Sequence, residues 1–240
     1  GFFAHAEDLG IEKALHMEVD VAEEDMEAES AFIVGAHERI AGAIAAGRPE
    51  SPDFPAYLER IAAIEGVKGL RRVLHIMPDA LSQSDIFVEN IRRLAAHDMT
   101  FDLCVLARQL PLAIDLAQKC PEVQFVLDHC GVPDIENDGL DPWREHIGEI
   151  AKLANVTAKV SGVIAYGGAD WSVEGLRPYV SHVIDTFTFD RVVWGSDFPV
   201  CMLFASLEDW VAASKELVAD ASPDEQKKLF SVNAEKVYRL

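Results

Sequence analysis

Two stretches of the chain place ionisable side chains where an apolar run breaks off. In "RVVWGSDFPV" (191–200), Asp197 follows the run Val192–Trp194, and in "FVLDHCGVP" (125–133), Asp128 and His129 precede a turn at Gly131 and Pro133. An aspartate leaving the core can take a proton from water, and a histidine can polarise a carbonyl or hold a metal. The competing readings are a solvated turn for Asp197 and a hydrogen-bonded structural role for His129. Other apolar runs also end in polar groups: Glu18 and Asp20 after "ALHM", Arg71, Arg72 and His75 in "VKGLRRVLH", and Asp102 and Arg108 around "FDLCVL". Arg71 or Arg72 would suit a substrate carboxylate, because a planar guanidinium grips two oxygens together; a surface ion pair is the alternative for either. Lys159, between apolar neighbours, reads as an ion pair at the core edge, and Ser161 as the start of a turn at Gly162.

Positioning these groups requires a regular scaffold. Seven β-rich runs, at 14–19, 40–45, 67–75, 101–106, 124–129, 156–162 and 191–195, alternate with amphipathic segments such as 84–98 and 172–187. A spacing of about 30 residues suits right-handed βαβ units and a parallel sheet covered by helices. Neither a G-x-G-x-x-G nor a G-x-x-x-x-G-K loop occurs, which argues against a nucleotide-binding open sheet and for a closed barrel. In such barrels the reacting groups gather at the C-terminal strand ends. Alternation puts Phe125, Leu127 and His129 on one face and Val126 and Asp128 on the other, so a regular strand cannot aim both Asp128 and His129 inward. The expected fold is α/β, a distorted (β/α)8 TIM-like barrel forming one domain over 1–240. Only seven of its eight strands are found. The first is expected upstream of Gly1, since an open barrel exposes two strand edges, and the sequence is expected to be a segment of a longer chain.

The 240 residues carry 41 Asp and Glu against 21 Lys and Arg, a formal charge of −20, which disfavours nucleic acid and anionic membranes as partners. No run approaches the roughly 18 apolar residues of a membrane span. The start lacks a signal-peptide pattern, and the four cysteines are scattered without Cys-x-x-Cys spacing. These features predict a cytoplasmic protein acting on a small-molecule substrate, with homo-oligomerisation left open.

The blocks "FVLDHCGVPDI", "AKVSG", "VVWGSDFPV" and the terminal "NAEKVYRL", with "GVKGLRRVLH" and "FDLCVLARQLP", resemble the amidohydrolase-related family, the family 2 amidohydrolases. The resemblance implies a distorted barrel hydrolase in which Asp197 is the general base for an attacking water and His129 holds the scissile carbonyl or a metal. It also implies that Arg71, Arg72, His75, Lys159 and Ser161 line the substrate side. One family feature is absent: no two of the eight histidines are two residues apart, so the first-strand His-x-His pair does not occur. Catalytic zinc sites generally use three protein ligands, whereas His129 and Asp197 supply two and Glu18 is the candidate third. The expectation is therefore a lactonase-like hydrolase opening a sugar-acid or aromatic-catabolite lactone. It would need no cofactor, or one divalent metal, zinc, if an upstream segment supplies His-x-His. The alternatives are a zinc-dependent amidohydrolase or decarboxylase of the same barrel, and a non-catalytic relative used for binding.

Overall fold

Short apolar strands separated by longer helices build this chain, whose computed structural model describes residues 2–240. The strands are β1 (Ala14–Met17), β2 (Ile40–Ala46), β3 (Val67–Val73), β4 (Thr100–Cys104), β5 (Phe125–Leu127), β6 (Val156–Val160) and β7 (Val192–Trp194). Each overlaps one of the seven runs read from sequence. All pair in parallel in the order β1-β2-β3-β4-β5-β6-β7, forming one curled α/β half-barrel. Among the described residues β1 pairs only with β2, and β7 only with β6.

Strand alternation sorts the side chains onto two faces. Phe101, Leu103, Phe125, Leu127, Val156, Ala158 and Val160 face outward into a core shared with helix residues such as Leu116, Ile147 and Val183. The inner face carries a smaller cluster of Ile44, Val126 and Val193, plugged by Tyr238 from the last helix, Asn233–Tyr238. Apolar residues therefore fill the floor of the curl and leave its upper end, where the strands terminate, to polar groups.

The segment read as helical over 172–187 is the helix Val173–Phe187, started by Ser172, whose hydroxyl accepts from Gly175 N at 3.1 Å. The segment 84–98 is an α-helix over Asp85–Arg92 that tightens into 3-10 turns over Arg93–His97. After β7, Ser206 and Asp209 form a reciprocal cap on the helix Leu207–Leu217, which satisfies the amides left free at a helix start. These ends fix the loops that rise above β6 and β7.

Candidate active site

The centre of the inner face is a chain of buried ions. Lys159, on β6, donates to Asp102 Oδ2 at 2.7 Å and to Asp128 Oδ1 at 2.6 Å. Arg71, on β3, donates from Nε to Glu18 Oε1 at 2.7 Å, from Nη2 to the Glu18 carbonyl at 2.7 Å, and from Nη1 to Asp128 Oδ2 at 3.3 Å. Tyr238 completes the lower end, donating to Asp102 Oδ2 at 2.8 Å. Each carboxylate and cation here has a partner, as buried charges require. Burial alone would raise the Asp128 carboxyl, but Lys159, His129 and Arg71 together hold it well below the usual carboxylate range. For Lys159 the two carboxylates outweigh burial and lift the ammonium above its ordinary value.

His129 enters this site by breaking the strand rule. Regular alternation would turn it outward with Leu127, but β5 ends at Leu127 and His129 takes a left-handed backbone, φ 52° and ψ 43°. Asp128 and His129 thus both face the inner end, where a continuing strand would separate them. Ser161 Oγ lies 2.9 Å from His129 Nδ1, and on the other side of the ring Nε2 lies 3.8 Å from Asp197 Oδ1. If the hydroxyl donates to Nδ1, the ring proton resides on Nε2 and points toward Asp197.

Asp197 also has positive φ, 53°, three residues past the end of β7. Its Oδ2 is buried and makes no hydrogen bond to the described residues. Burial raises its carboxyl above the ordinary value, and His129 only partly opposes the shift. A carboxylate so placed can take up a proton at Oδ2, the oxygen that no protein donor occupies.

Gly162 makes room for this arrangement. Its φ is +71°, and a Cβ built there would lie 2.8 Å from His129 Cγ and Nδ1. Gly162→Ala should displace the imidazole from Ser161 and lower kcat/KM by roughly tenfold or more, since small misplacements of reacting groups are costly. Steady-state kinetics with circular dichroism on the variant checks this; unchanged kinetics would show that the ring position is not critical.

The other residues picked from sequence divide. His75 joins the site, with Nδ1 3.2 Å from Cys104 Sγ, and burial, then His129 and Arg71, lower its basicity. Arg72 does not, because alternation along β3 sends it to the outer face. There it donates to Glu50 Oε1 at 3.0 Å and lies 3.3 Å from the Met77 sulfur, tying together the loops after β2 and β3. Arg71 and Lys159 are in the site, where Arg71 holds Glu18 and Asp128, and Lys159 holds Asp102 and Asp128. Sequence reasoning did not propose roles for Asp102, Cys104, Tyr166 or Tyr238. Asp102 and Cys104 alternate inward on β4, a signal readable beforehand; nothing in the sequence brings Tyr238 under β4.

Cys104, Asp128 and His129 offer donor atoms that all lie within 4.8 Å of one another, a candidate metal triad. Glu18 is outside it, with Oε1 taken by Arg71 and Oε2 by the Asp20 amide. As charged and paired here, the triad does not fit a divalent ion. Both Asp128 oxygens already accept from Lys159 and Arg71, whose positive charges would repel a divalent ion at that carboxylate.

Comparison with known proteins bears on the family and the fold. A family model described as amidohydrolase matches residues 7–240. An L-fucono-1,5-lactonase of Burkholderia ambifaria is 32% identical over 196 residues, covering 80% of this chain and 68% of the relative. The crystal structure of an amidohydrolase from Burkholderia multivorans with bound zinc superposes with a TM-score of 0.88 at 25% identity, over 99% of this chain and 86% of that one. A probable 2-pyrone-4,6-dicarboxylic acid hydrolase from Acinetobacter baumannii shares the fold at a TM-score of 0.83 and 18% identity, over 100% of this chain and 88% of the other. The fold is that of the amidohydrolase TIM barrels, and the chain belongs to the amidohydrolase family of hydrolases.

Proposed function

We propose that the protein hydrolyses a small uncharged lactone, with Asp197 as general base and His129 as the donor to the scissile carbonyl. The observation that carries this reading is the buried, unpartnered Oδ2 of Asp197 beside His129 Nε2. In the proposed reaction Asp197 takes a proton from water as the water oxygen bonds to the carbonyl carbon. The carbonyl oxygen becomes an oxyanion, held by the Nε2–H of His129. Collapse breaks the ring C–O bond, and the departing alkoxide recovers the proton from Asp197, leaving an open hydroxy acid. Ser161 keeps the imidazole oriented throughout.

The charge balance supports an uncharged substrate. Glu18, Asp102 and Asp128 are paired with Arg71 and Lys159, which leaves Asp197 as a further carboxylate beside His129 and more carboxylates than Arg and Lys cations in this cluster. A substrate carboxylate would therefore meet excess negative charge, contrary to the carboxylate contact that the sequence suggested for Arg71. A polyhydroxylated ring lactone is compatible with these acceptor-rich walls, and the relative named as an L-fucono-1,5-lactonase lies in that class. Kinetics on paired δ-lactones with and without a ring carboxylate test the reading. The uncharged member should have the higher kcat/KM by about tenfold or more, equivalent to about 1.4 kcal/mol; preference for the carboxylated member would refute it.

The donor pairing described above also supports a reaction that needs no divalent ion. Dialysis against a chelator should leave lactone turnover within about twofold of the untreated protein, as no step here is assigned to a Lewis acid. Loss of turnover on dialysis, reversed by added zinc, would contradict this part of the reading.

A further inference from the structure

We infer that Tyr166 is a catalytic hydrogen-bond donor of this site, its neutral phenol holding the oxygen that becomes negative when the lactone carbonyl is attacked. The inference rests on the lactone reading for the identity of that oxygen, and on this chain's geometry for the donor. Tyr166 ends the four-residue helix Val163–Tyr166, which follows directly from Ser161 and Gly162 at the end of β6. The turn that seats His129 therefore also presents the tyrosine. Its ring meets the imidazole edge-to-face, with centroids 6.3 Å apart and planes at 65°.

The hydroxyls of the chain's four tyrosines are not equivalent. Tyr57 donates to the Ala46 carbonyl at 2.5 Å, Tyr179 to the Asp134 carbonyl at 3.4 Å and Tyr238 to Asp102 at 2.8 Å. Tyr166 makes no hydrogen bond to any described residue, although its side chain is half-buried against the core. A half-buried phenol usually finds an acceptor when one is in reach. Here the acceptor would arrive with the substrate.

Electrostatics fit a donor that never ionises. Burial and then the Asp197 carboxylate raise the phenol above its ordinary value, so it keeps its proton at neutral pH. An oxyanion is stabilised most by donors fixed before the charge develops, and His129 Nε2–H alone would be one such donor. Tyr166 supplies the second from the adjacent β6 loop. No bond to the tyrosine forms or breaks, and its proton stays on the phenol throughout.

Tyr166→Phe keeps the ring against His129 and removes only the oxygen. Steady-state kinetics on an uncharged δ-lactone should show kcat reduced about 10–100-fold, with KM within about twofold and an unchanged thermal midpoint. An unchanged kcat would overturn the inference, and so would a raised KM with kcat intact, which would make the phenol a ground-state contact. A six-membered cyclic phosphonate, whose tetrahedral anionic centre resembles the attacked carbonyl, gives a readout independent of turnover. Calorimetry should find it bound about tenfold more weakly by Tyr166→Phe than by wild type. If wild type opens no lactone yet binds the phosphonate with that tyrosine dependence, the lactone reading fails and the donor stands. Equal binding by both proteins, or binding by neither, overturns the donor.

Discussion

Asp197→Asn should lower kcat on an uncharged lactone by about 10²–10⁴-fold, the range general-base removal typically produces, and should raise the thermal midpoint. The first effect follows because the amide is nearly isosteric but takes up no proton. The second follows from proton linkage. Burial raises the Asp197 carboxyl in the folded protein above its unfolded value, so between those two values the folded state binds more protons than the unfolded one. Stability then falls as pH rises through that window, and at neutral pH the ionised, buried Asp197 destabilises the fold. Asparagine lifts that penalty. Kinetics and calorimetry on the same preparation check both; loss of activity together with a lower midpoint would point to a structural carboxylate instead.

Lys159→Met should be among the most destabilising single substitutions in the protein. It leaves Asp102 with two neutral hydroxyl donors, Tyr238 at 2.8 Å and Thr100 at 3.5 Å, and weakens the hold on Asp128; both carboxylates are fully buried. Breaking a buried ion pair by removing one partner costs about 3–5 kcal/mol, which for a chain of this length corresponds to a midpoint lower by roughly 10 °C. Adding Asp102→Asn to Lys159→Met should recover part of the loss, because one uncompensated charge is then gone. Thermal unfolding of the two single variants and the double variant tests this coupling; additive losses would mean that the lysine and the aspartate act independently.

The sequence made the scaffold legible because its strands are short apolar runs at regular intervals, each overlapping an observed strand. Asp197 and His129 were found as candidates for the same reason: each follows such a run, and the structure brings them within 3.8 Å. What stayed hidden depends on backbone and tertiary detail. Period-two reasoning sends His129 outward and fails there because the residue adopts positive φ, a local choice no alternation pattern reports. The same reasoning, applied to adjacent Arg71 and Arg72, would have separated them, since neighbours on a strand face opposite sides. Lys159 was readable as an ion pair at the core edge, but its two partners come from β4 and the end of β5, 57 and 31 positions away. Tyr238, 136 positions from Asp102, and Tyr166, on a four-residue helix, leave no periodic signal at all.

In the proposed reaction the Asp197 carboxylate, raised by burial, must be ionised to activate water beside His129. The most direct measurement is the pH dependence of kcat/KM for an uncharged δ-lactone, in wild type and in Asp197→Asn, corrected for spontaneous ring opening. The wild-type rate should fall with acidification through a single midpoint above the ordinary carboxyl value of 3.8, and the variant should lack this limb along with most of the rate. A wild-type profile flat down to that value, or an acid limb persisting in the variant at near wild-type rate, would contradict it.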